Sequence, residues 1–64
     1  MSADESLERA EELLARLEAA RAELQRVTEQ EDVDAAIDVL TELADLARQV
    51  EVELSRARRE AEAP

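Results

Sequence analysis

Carboxylates are the side chains through which this sequence could do chemistry. Glu29, Glu31, Asp32, Asp34, Asp38, Glu42 and Asp45 crowd into one region, and no base occurs from Val27 through Ala47. Such a run could hold a divalent cation or meet a basic partner. Asp32, Asp34 and Asp38 have something of a calcium loop's spacing, but the Gly of its sharp turn and its terminal bidentate Glu are missing. The plainer account is acids that favour a helix N-terminus and a solvated face. General acid–base work needs two carboxyl groups held apart in a dry pocket, and a two-helix chain has no pocket of its own. The sequence has no His, Cys, Lys or Tyr, so nucleophile–base pairs, Schiff bases and zinc-activated water are excluded. Without Gly it cannot carry a phosphate-binding loop or a dinucleotide turn. No catalytic residue, cofactor site or metal site is therefore assigned, and the chain is at most a non-catalytic subunit of an enzyme.

The net charge of −10, from 18 acids and 8 bases that are all Arg, disfavours direct binding to a phosphate backbone. It equally disfavours anionic membranes. Arg21, Arg56, Arg58 and Arg59 could touch phosphate, but solubility, capping and salt pairing account for them. No run of about 20 apolar residues exists to span a membrane. The acidic start Met1-Ser2-Ala3-Asp4-Glu5 differs from the basic start of a secretory signal, and the expected location is cytoplasmic.

Helices must position whatever this chain presents. Helix formers run from end to end, with Pro64 the single proline. Ser2 with Glu5 fits a capping box, and Ser6 is a second candidate start. The first helix is expected to run to about Val27, with Leu7, Ala10, Leu14, Leu17 and Leu24 in its main row. Leu13, Ala20 and Val27 lie beside that row, and Arg21 interrupts it. In the second helix Val33, Ala36, Leu40, Leu43, Ala47, Val50, Leu54 and Ala57 recur at steps of three and four. Ile37 and Ala44 widen this edge on one flank, Val39 and Leu46 on the other. The two rows are two residues out of register, so one straight helix would put them on opposite sides. Thr28-Glu29-Gln30-Glu31-Asp32 is polar and contains Asp32 as the better cap. The expectation is an all-α antiparallel two-helix hairpin with a turn near 28–32; a continuous helix is the alternative, since that turn contains no Gly. Residues 6–60 form the hairpin, 1–5 a partly ordered start, and 61–64 a frayed end. Glu5–Arg9 and Glu12–Arg16 are spaced for ion pairs along the first helix.

A chain of 64 residues with no disulfide or zinc to staple it has a thin core. The face assigned to the second helix is too wide for one neighbour. The helix-packing interface is therefore expected at Leu7, Leu14, Leu17, Leu24, Val33, Ile37, Val39, Leu40, Leu43, Leu46, Ala47, Val50 and Leu54. Within it Val39, Leu46 and Val50 are candidates to face a foreign helix or a second copy. The chain is expected to assemble as a helical bundle or coiled coil, with itself or with a partner. That expectation fails if a single molecule already seals those three residues inside.

From Val33 onward, V-D-A-A-I-D-V-L-T-E-L-A-D-L-A-R-Q-V-E-V-E-L-S-R-A-R resembles the second helix of the small subunit of bacterial exodeoxyribonuclease VII. Val33, Ile37, Leu40, Leu46, Ala47, Val50, Leu54 and Ala57 match that pattern, and Ser6-Leu7-Glu8-Arg9-Ala10 is similar to the family's S-F-E-x-A opening. The chain departs from it at Leu7 for an aromatic, Leu43 for a Gly, and Val50 for a Cys. It also lacks the family's L-E-x-G turn, and its first helix is about five residues too long. The resemblance implies a non-catalytic hairpin that packs on the helical region of a large, nuclease-bearing subunit, whose holoenzyme degrades single-stranded DNA. The hairpin length, Ala44-Asp45-Leu46 and the Asp-rich turn also resemble the Rop family of plasmid copy-number regulators, homodimeric four-helix bundles. Rop proteins bind RNA through basic and aromatic residues of the first helix. Glu5, Glu8, Glu12 and Glu18 stand there in this chain, so that resemblance carries architecture alone. The alternative to a nuclease subunit is thus a stand-alone homodimeric bundle, natural or designed, with a structural role.

Overall fold

The computed structural model describes residues 2–63 as two long helices, α1 (Ala3–Glu29) and α2 (Val33–Glu62). Folded back on each other, they make an all-α hairpin about 52 × 14 × 12 Å. Met1 and Pro64 lie outside the described residues. Ser2 caps α1, its hydroxyl accepting from the Glu5 backbone N–H at 3.2 Å, which satisfies one of the first-turn donors that a helix leaves unpaired. α1 includes Ala3, Asp4 and Glu5, so the start is helical from its third residue. At the other end α2 continues through Ala61 and Glu62, beyond the expected end near Arg59.

The turn is real and needs no Gly. Gln30 ends α1, Glu31 takes a positive φ of 56°, and Asp32 begins the next helix. Glu31 N–H donates to the Thr28 carbonyl at 3.0 Å, and Asp32 N–H reaches back to the Val27 carbonyl at 3.0 Å. Those two bonds make a Schellman motif, the usual left-handed helix stop. Glu31 fills the position Gly normally takes, at roughly 1–2 kcal/mol of backbone strain. Asp32 then caps α2, Oδ1 accepting from Ala35 N–H at 3.1 Å. One residue closes the first helix and opens the second.

The helices meet along a strict heptad seam. On α1 it is Ser6, Ala10, Leu13, Leu17, Ala20, Leu24 and Val27; on α2, Ala36, Val39, Leu43, Leu46, Val50, Glu53 and Ala57. Each of these is buried or half-buried. Steps of three and four keep one edge of each helix on its partner. Leu13, Ala20, Val27, Val39, Leu46 and Val50 form the core, with Leu17, Leu24, Ala35, Ala36 and Leu43 packed against it.

This seam corrects the expected one on both helices. Leu7 and Leu14 stand exposed, while Leu13, Ala20 and Val27, assigned to the side, are the buried ones. On α2 the flanking pair Val39 and Leu46 is buried, and Val33, Leu40 and Leu54 of the assigned row are exposed. The reason is mutual: each helix has two adjacent apolar rows, and the short turn lets only one row from each face inward.

An apolar flank and a charged flank

Seen down either helix, one neighbouring row lies on one side of the seam and another on the opposite side. Reversing one helix brings like rows together. Leu7, Leu14, Arg21 and Thr28, each one residue after a seam position, therefore share a flank with Val33, Leu40, Ala47 and Leu54. Ile37 and Ala44 widen that flank on α2. At its turn end Thr28, Val33, Ala36, Ile37 and Leu40 line a shallow apolar concavity of about 270 Å³. Val33, Ile37 and Leu40 are 68%, 55% and 52% exposed, against 8% and 6% for Val39 and Leu46.

The opposite flank is polar. Arg9, Glu12, Arg16, Gln49 and Glu53 surround Leu13 in a cleft of about 290 Å³. Next to it Asp45, Arg48 and Arg56 surround Val52. Glu53 is a seam residue buried by its position: Oε1 accepts from Arg56 at 3.1 Å, while Oε2 is buried without a partner. Leaving a buried oxygen unmatched costs about 1–3 kcal/mol. Together with Ser6, Ala10 and Ala57 it makes the open end of the seam polar or small, where the turn end is aliphatic.

The thirteen interface residues expected from the sequence divide three ways. Val39, Leu46 and Val50 are sealed inside the hairpin. They do not face a foreign helix, and the case for an obligatory partner built on them falls. Leu17, Leu24 and Leu43 are half-buried against the same core. Leu7, Leu14, Val33, Ile37, Leu40, Ala47 and Leu54 remain exposed, and an outward-facing apolar surface consists of these. Sequence reasoning placed Ala10 in the main row, where it is buried, but set Leu13, Ala20 and Val27 beside that row and missed Ser6 and Glu53 as seam residues. Their unbroken three–four spacing was the available signal, masked by a serine and a glutamate within it.

The acidic run serves the turn and the solvated surface. Asp32 caps α2, Asp34 lies in its first turn, and Asp45 pairs with Arg48 at 2.9 Å. Among the described residues no three carboxylates gather closely enough to hold a metal ion. Arg26 pairs with Glu23, holding that carboxyl below its ordinary pKa through the side-chain hydrogen bond and raising its own. Arg58 pairs with Glu62 at 3.2 Å. These three pairs, with Glu53–Arg56, stand among the described residues where Glu5–Arg9 and Glu12–Arg16 were expected, and those two are not at ion-pair distance. Among the described residues no helix is long and apolar enough to cross a membrane. Comparisons with protein-family models, curated proteins and solved structures find no match for this chain.

Proposed function

We propose that this chain is a non-catalytic association module, a helical hairpin that docks to another helical protein through its apolar flank. The observation that supports this most is the second apolar row on α2, left in water beside Leu7 and Leu14. Fully burying an aliphatic side chain contributes roughly 1.5–3 kcal/mol, so six half-exposed ones leave a considerable driving force unused. Single exposed apolar residues need no explanation, whereas a contiguous face of them marks an interface. The resemblance to the exodeoxyribonuclease VII small subunit gives this reading a concrete form: an accessory subunit, working in the cytoplasm, that packs on the helical region of a nuclease large subunit. Single-stranded DNA degradation would then belong to the holoenzyme, and nucleic acid would not touch this acidic chain.

Co-expression with an exodeoxyribonuclease VII large subunit, followed by affinity capture, tests the reading. The two chains should co-elute, and Leu40→Glu should abolish capture while circular dichroism of the free hairpin stays unchanged. Absence of co-elution removes the nuclease assignment. Co-elution that survives Leu40→Glu removes the assigned face. A homodimeric four-helix bundle is the second reading, favoured by Ala44 and Ala47, whose small side chains midway along the exposed row would let a copy approach closely. A sedimentation mass of twice the monomer would select it.

A further inference from the structure

The two edges of the apolar flank differ in charge, and that difference bears on what lies between them. On α1 the residues one helical turn from Leu7 and Leu14 are Asp4, Glu11 and Glu18, all exposed and, among the described residues, none in an ion pair. On α2 the corresponding residues are Ile37 and Ala44, then Glu51 and Arg58. Apart from Arg21 and Arg58, the bases stand off this flank. Arg9, Arg16, Arg48 and Arg56 line the opposite flank, while Arg26 and Arg58 are held by Glu23 and Glu62. Arg21 lies midway along the apolar side and, among the described residues, is in no ion pair.

We infer that this flank receives a single amphipathic helix, apolar toward the groove and basic along the edge that lies over α1. The inference rests on the association reading above and adds the partner's shape and charge. Shape follows from the two rows, which converge on one groove as two sides of a three-helix bundle. Val33 to Leu54 spans 22 residues, about 32 Å of helix from first to last, so the occupant needs about as many. Charge follows from the rim. A second copy would arrive with its own Asp4, Glu11 and Glu18 and a net charge of −10, and with Arg21 and the already paired Arg58 on that flank to answer them. A helix carrying Lys or Arg at heptad spacing would meet those three carboxylates directly, and like charges there would be repelled.

The test uses the full chain and two fluorescent peptides of about 20 residues, identical in an Ile/Leu/Ala heptad seam. One has Lys and Arg along its edge, the other Glu. Fluorescence anisotropy should find the basic peptide bound about tenfold more tightly at low salt, with the gap closing near ~0.5 M NaCl. Glu11→Lys combined with Glu18→Lys should reverse the order. Equal affinities, or an order unchanged in the double variant, overturn the inference; if Leu40→Glu still abolishes binding of both peptides, the association reading stands without it. Binding of neither peptide, or binding indifferent to Leu40→Glu, overturns both. A chain that sediments as a dimer, and as a monomer after Leu40→Glu, makes a second copy the occupant and overturns the basic-helix inference.

Discussion

α2 carries two apolar rows of the same period. Ala36, Val39, Leu43, Leu46, Val50 and Ala57 are covered by α1, whereas Val33, Ile37, Leu40, Ala44, Ala47 and Leu54 face water. Nothing in hydrophobicity separates them, since the exposed row holds Ile and Leu as large as any in the buried one. The difference lies in what α1 offers. Its seam row is unbroken from Ala10 to Val27, but its outward row is cut short after Leu14 by Arg21 and Thr28. A helix pair closes along the row both members can complete. The incomplete row is left for something else.

The contrast can be broken most sharply at one position in each row. Leu46→Ala, in the covered row, should cost about 2–5 kcal/mol, enough to unfold a hairpin this small at room temperature. Leu40→Ala, in the open row, should change the stability of the free chain by no more than about 0.5 kcal/mol. Urea melts followed by helical circular dichroism measure both, and equal losses would mean the rows are not distinct. Leu46→Glu is for the same reason a test of folding, not of association. At the open end, Glu53→Leu removes an acid with an unmatched oxygen from the covered row. It should stabilise the hairpin by roughly 1–3 kcal/mol despite losing Arg56, read as a higher urea midpoint. A smaller gain is expected at the turn that sets the register. Glu31→Gly should relieve left-handed strain and raise stability by about 1 kcal/mol, a higher melting temperature with unchanged helicity; Glu31→Val should lower it.

Much of the fold was legible in the residues. Helix formers without interruption, the caps Ser2 and Asp32, and the two-residue phase slip between the rows together imply two helices and a bend at Thr28–Asp32. The absence of Gly kept a continuous helix in play, because the left-handed stop that Glu31 makes has no signature of its own. The site was less legible. Leu7, Leu14, Val33, Leu40 and Leu54 look like the better core, and Ser6 and Glu53 look like surface. Choosing between adjacent rows of one helix needs the partner helix, and residue types report hydrophobicity without reporting which way the neighbour lies.

The amino-acid sequence by itself determined that this chain is helical and acidic, because those are properties of residue type and period. Which of two equivalent rows faces inward was decided by the tertiary structure alone. A three-residue turn fixes the rotation of one helix about the other, and only that rotation turns Val39, Leu46 and Val50 into core and leaves Val33, Ile37 and Leu40 in water.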